Sequence, residues 1–224
     1  MINRLIPTIA VAYNPKTEEL IGMRNRVTVM LAAGAAMIAS AVFVGPAAAV
    51  PATWTIDPGG PFTGAAGTTL LTVEESGVEL SCVSAGATGE AKVGAGHSNP
   101  LATISDTDFN DCTGPFGLVF EVAHGGVWTL NGASHDAGTG VTTGSIDDIV
   151  ADITGPGCIA QVTGSVDVTY TNSTAELRVL PNFTLLIASV DPTENCFGLI
   201  NTGEHASFDG LFEISPAQNI SMQP

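Results

Sequence analysis

Apolar residues in this chain recur at every second position in short runs, the spacing of an extended strand with one buried face. Trp54 and Ile56 alternate with Thr53 and Thr55, and Val166, Val168 and Tyr170 enclose Asp167 and Thr169. Leu118, Phe120 and Val122 alternate with Val119, Glu121 and Ala123, while Leu177 and Val179 flank Arg178. Phe208, Phe212 and Ile214 share one parity, and Asp209 and Glu213 share the other. Turn-forming residues separate the runs: Asp57-Pro58-Gly59-Gly60, Gly94-Ala95-Gly96, Gly125-Gly126, Gly138-Thr139-Gly140, Gly155-Pro156-Gly157 and Asn201-Thr202-Gly203. Helical periodicity is nearly absent from this part of the chain. The pattern predicts an all-β fold, either an antiparallel β-sandwich or a Greek-key barrel, with one dry and one wet face per strand. Edge strands of such a fold are either shielded by acidic residues or used to pair with another copy.

The first 49 residues read differently. Arg24 and Arg26 precede an uncharged run from Thr28 to Val44, Gly45-Pro46 ends it, and Ala47-Ala48-Ala49 supplies small residues for a signal peptidase. Cleavage after Ala49 divides the chain into 1–49, an N-terminal extension with a helical signal peptide, and 50–224, a secreted β domain. Either Met1 or Met23 serves as the start. The apolar run is near the lower limit for a membrane span and lacks a basic stop-transfer flank, so no stable span is expected after processing.

From residue 50 onward only Lys92 and Arg178 are basic, against twenty acidic residues (the chain's 22 less Glu18 and Glu19). Such a surface repels phosphate backbones and anionic membranes, which excludes nucleic acid as a partner. The four cysteines, Cys82, Cys112, Cys158 and Cys196, suit an oxidising compartment. Of the three connectivities, Cys82–Cys112 with Cys158–Cys196 is expected, because each pair then falls within one half of the chain. The halves rhyme: Cys112 precedes Thr113-Gly114-Pro115-Phe116-Gly117-Leu118, and Cys196 precedes Phe197-Gly198-Leu199. Either the fold contains a pseudo-repeat or the likeness is chance.

Ser134-His135-Asp136 spells a catalytic triad in three consecutive residues, but neighbours on an extended chain point to opposite faces. A polar loop after a strand ending near Asn131 is expected there. No nucleophile elbow, His-Glu-x-x-His motif or phosphate loop is present, so no catalytic residue is assigned. His97, His124, His135 and His205 are scattered. Asp106, Asp108 and Asp111 form a short acidic segment that could supply oxygen ligands to calcium, and Asp147, Asp148 and Asp152 form a second, explained as a solvated strand face. No other cofactor is indicated. Asn172-Ser173-Thr174, Asn182-Phe183-Thr184 and Asn219-Ile220-Ser221 match the glycosylation acceptor pattern, and turn formation explains them.

Several stretches resemble secreted β-rich proteins of actinobacteria: Val127-Trp128-Thr129-Leu130-Asn131, Thr139-Gly140-Val141-Thr142-Thr143-Gly144-Ser145-Ile146, Gly155-Pro156-Gly157-Cys158, Val168-Thr169-Tyr170-Thr171-Asn172-Ser173-Thr174, Cys196-Phe197-Gly198-Leu199-Ile200-Asn201-Thr202-Gly203 and Ile214-Ser215-Pro216-Ala217-Gln218. The likeness spans most of 50–224 and implies a secreted, disulfide-bonded β domain; no catalytic residues come with it. In its length, central tryptophan strand and cysteine placement the chain is also similar to the exported activators of alkane oxidation. That similarity implies an extracellular helper in contact with hydrophobic substrate. The expected function is a secreted, non-catalytic cell-envelope or extracellular-matrix protein, with self-association or a cell-surface partner. The alternatives are a calcium- or small-ligand-binding module and the hydrophobic-substrate helper.

Overall fold

The computed structural model describes residues 52–223, so the expected leader at 1–49 lies outside the described residues. Three strands, β1 (Thr53–Asp57), β6 (Gly94–His97) and β16 (Asn219–Gln223), form a small sheet of order β16-β1-β6. The other thirteen form one large sheet. In chain order they are β2 (Gly60–Ala66) with β3 (Thr69–Val73), β4 (Glu79–Cys82) with β5 (Ser84–Ala91), β7 (Ala102–Asn110) with β8 (Cys112–Thr113), and β9 (Val119–Gly125) with β10 (Trp128–Asp136). Then come β11 (Val141–Gly155), β12 (Cys158–Thr171), β13 (Glu176–Val179) with β14 (Leu185–Asn195), and β15 (His205–Ser215).

Each joined pair runs along one neighbour as a single interrupted strand. Thus β15 pairs with β3 through Ala206↔Val73 and with β2 through Ser215↔Thr63. Eight long staves result, each antiparallel to the next in chain order, and β15 closes the ring on β2 and β3. The all-β antiparallel expectation therefore takes the form of a barrel whose connections step from neighbour to neighbour, without the crossover of a Greek key. Closure leaves the large sheet without the free edge an open sandwich would have. The Gly94-Ala95-Gly96 segment, expected as a turn, is strand β6, paired with β1.

Two of the irregularities fall at aspartates in left-handed backbone. Asp111 separates β7 from β8 at φ 52, and Asp148 sits at φ 61 where β11 slips register between Ile146 and Ile149. Aspartate tolerates this region better than most residues. Such bends let long strands follow the curvature of a closed barrel.

The two barrel ends differ. At one end β1 and β16 lay Trp54, Ile56 and Ile220 over the interior, where all three are buried. Tyr170 on β12 anchors this cap: its hydroxyl donates to Gln218 O and accepts from Gln218 N, both at 2.9 Å. Asn172 adds a matched pair, donating to Ile220 O and accepting from Ile220 N. Gly132 is required beneath the cap, because a Cβ there would lie 2.6 Å from the Trp54 ring.

At the other end lie both disulfides, Cys82–Cys112 and Cys158–Cys196, in the expected pairing and each joining neighbouring staves. The rhyming sequences adopt the same local form: Pro115–Gly117 and Cys196–Gly198 are single 3-10 turns with Phe116 at φ 61 and Phe197 at φ 58.

Candidate ligand cavity

Inward-facing residues of the staves build an apolar interior. Val162, Val166, Val168, Ile187 and Phe212 are buried there, while their strand neighbours Thr163, Asp167 and Glu213 lie less buried on the other face. The wall also carries small side chains, Ala87, Ala91, Ala102 and Ala151. They leave a cavity of about 140 Å³ that reaches from Ile56 and Ile220 at the cap to Leu80 and Cys82 near the disulfide end. A second cavity of about 50 Å³ at the disulfide end shares Leu71, Leu80 and Ile153 with the first. Phe197 borders it, its ring seated on Gly157.

Among the described residues, no carboxylate, ammonium, guanidinium or imidazole lines the larger cavity. Its polar groups are few, and nearly all are engaged. Thr107 Oγ1 lies 3.1 Å from His124 Nδ1, Thr142 Oγ1 lies 2.9 Å from His135 Nδ1, and Thr143 Oγ1 lies 2.7 Å from Ser134 Oγ. Asn131 Nδ2 donates to Asp147 at 2.7 Å, and Gln218 bonds Gly59 N and Pro216 O. Tyr170 is held by Gln218, and burial raises its phenol above the ordinary tyrosine pKa, against the opposing effect of the Gln218 hydrogen bond. The exception is Thr69. Its Oγ1 is buried without a hydrogen-bond partner, and the residue is only 1% exposed.

The candidate catalytic and metal-ligating residues of the sequence lie elsewhere. Ser134, His135 and Asp136 belong to β10, which continues through a bulge at Gly132 to Asp136 where a loop was expected, because β11 pairs with it as far as Val141. Ser134 and His135 bond to Thr143 and Thr142, while Asp136 accepts from Gly138 N at 2.8 Å. That bond, with help from Thr139, lowers the Asp136 pKa.

Asp106 and Asp108 are exposed on the outer face of β7, and Asp111 occupies the break after it. Asp108 Oδ2 accepts from Asn110, and its carboxylate covers Gly86. These three do not gather their oxygens within 4.8 Å of one another; among the described residues the group that does is Glu74, Glu75 and His205, all exposed. Asp147, Asp148 and Asp152 accept from Asn131, Thr129 and Gln161 respectively, each along the wall.

Sequence reasoning missed the cavity and Thr69. Its trace was present as alanines at inward parity on β5, β7 and β11, but alanine at such a position signals a small wall only once the staves are known to face each other.

No protein-family model, no curated protein and no solved structure matches this chain.

Proposed function

We propose that this is a secreted, non-catalytic protein of the cell envelope or extracellular matrix that holds one small apolar molecule inside its barrel. The single observation that carries the reading is the uncharged cavity of about 140 Å³. Protein interiors contain few voids larger than a water molecule. Left unfilled, a void of this size costs on the order of 3 kcal/mol, and a guest that fits recovers part of that. Cavities of about 150 Å³ lined by Leu, Ile and Phe stay dry and take up benzene-sized guests, and an eight-stranded barrel is just wide enough for one small ligand.

Two disulfides fit an oxidising environment, which supports action outside the cytoplasm. The uncharged wall favours binding over acid–base chemistry. The resemblance to exported activators of alkane oxidation points the same way, to contact with hydrophobic substrate.

Titration of the purified, oxidised protein with benzene, toluene, cyclohexane and hexane tests the reading. Trp128 lines the cavity, so its fluorescence reports entry. The melting temperature should rise with ligand, a hundredfold excess over Kd adding about 2.7 kcal/mol of stability. Ala87→Leu, which pushes a larger side chain into the cavity, should abolish both effects. Absence of any fluorescence or melting response at saturating ligand would sink the proposal.

A further inference from the structure

Resting on the cavity reading above, we infer that the guest enters and leaves at the disulfide end, beneath a flap formed by residues 191–202 whose latch is the Phe197 ring. Elsewhere the described barrel is shut. Crossing the wall would part a backbone ladder and leave amides and carbonyls unpaired. Crossing the cap would displace Trp54, Ile56 and Ile220, all buried, from a sheet tied down by the Tyr170–Gln218 and Asn172–Ile220 hydrogen bonds.

The disulfide end is layered differently. Leu71, Leu80 and Ile153 line both cavities, so a single layer of side chains separates the larger from the smaller. The smaller cavity is bordered in turn by Glu79 and Phe197, both exposed. Cys196, Leu199 and Ile200 of the flap also line it.

The flap is loosely joined to the staves. β14 pairs Val190 with Ala160 and next Asn195 with Cys158, so residues 191–194 span the place of Ile159 alone on β12. Two amides there, Thr193 N and Glu194 N, donate to the Asp191 carboxylate and not to a neighbouring strand. Beyond them the Cys158–Cys196 disulfide and a bond from Cys196 N to Gly157 O pin the flap. The Phe197 ring then lies so close over Gly157 that a Cβ there would stand 2.8 Å from it. Segments held by few ladder bonds open at lower free energy than the core around them, and such opening gates access to enclosed sites. Lifting the ring off Gly157 opens the small cavity to solvent, and rotation of Leu71 or Leu80 joins it to the large one.

Phe116 is a built-in control. It sits in the matching turn, is 82% exposed against 58% for Phe197, and lines neither cavity.

The experiment measures benzene association and dissociation rates in the oxidised protein, from Trp128 fluorescence after rapid mixing and from NMR line shapes. Phe197→Ala should raise both rates alike, by about tenfold for a barrier about 1.4 kcal/mol lower. Kd should stay unchanged, because the ring borders the path and not the bound guest. Phe116→Ala should leave both rates at their native values. Cys158→Ser with Cys196→Ser, which unpins the flap, should quicken exchange as well; should that variant fail to fold, Phe197→Ala decides alone. If Phe197→Ala exchanges benzene no faster than the native protein, or if Phe116→Ala quickens exchange as much, the flap is not the entrance, while the cavity reading stands. A change in Kd carried by one rate alone would make Phe197 part of the binding surface and overturn the gate. If benzene does not bind the native protein at all, the cavity reading falls and this inference with it.

Discussion

Tyr170 shows how one side chain ties the cap to the barrel. Its hydroxyl satisfies both the amide and the carbonyl of Gln218, so Tyr170→Phe leaves two backbone groups without a partner and should destabilise the protein by about 1–3 kcal/mol in denaturant titration. The same residue gives a pH signature. Burial raises the phenol's pKa in the folded state, above the unfolded value of about 10. The protonated form is then favoured by folding, so the contribution is fully present below pH 10 or so and is lost as pH rises through the folded value. Melting temperatures measured from pH 8 to 12 should fall at the alkaline end, and less steeply in Tyr170→Phe. At this scale the sequence was legible where alternation settled the matter: Ser134, His135 and Asp136 turn to separate partners, as consecutive residues of an extended chain must. That the Thr69 hydroxyl lacks a partner was not legible, because an unpaired hydroxyl is defined by what fails to surround it.

Among the elements, the period-two runs became strands almost without exception, since alternation and burial are the same physical fact. Bends inside staves were harder to foresee. The bulge between Ile146 and Ile149 and the break at Asp111 answer to ring curvature, which no local window contains. The Gly-rich β6 carries the local signal of a turn, and its strand pairing comes from β1, about forty residues away along the chain. The three-stranded cap depends on Trp54, which is 4% exposed and rests on Gly132. Trp54→Ala should cost about 3–5 kcal/mol, and hydrogen exchange should quicken first in 53–57 and 219–223. Uniform acceleration across the barrel staves would contradict a separately docked cap. A close backbone approach supplies a second test: a Cβ at Gly144 would fall 2.0 Å from Asn131 O, so Gly144→Ala should force β10 and β11 apart and lower stability by about 2 kcal/mol or more, as strained core substitutions do.

For the molecule as a whole, closure is the deciding event. With neighbour-to-neighbour connections, each stave needs only the next one until the last, β15, must find β2 and β3 across all the intervening staves. The disulfides sit at one end and bridge sequence separations of 30 and 38 residues. In the chain-entropy picture each is worth about 4 kcal/mol. Reduction should therefore lower the melting temperature sharply, and Cys82→Ser with Cys112→Ser should be milder than full reduction. A reduced protein as stable as the oxidised one would show that hydrogen bonding around the closed ring suffices without them. The acidic exterior keeps charge on the outer face, with Arg178 paired to Asp209 at 3.1 Å, and leaves the interior uncharged.

By itself the sequence determined the strand content, the alternation of dry and wet faces and the acidic surface, because each depends on residues close together in the chain. The disulfide pairing was also within its reach, since both bridges close between neighbouring segments. Only the tertiary structure decided that the strands form a ring, that the first and last of the described strands and a glycine-rich one cap it, and that small inward side chains leave a cavity in its interior. Those features arise from distances across the barrel between residues far apart in the chain, and no spacing along a sequence encodes a distance of that kind.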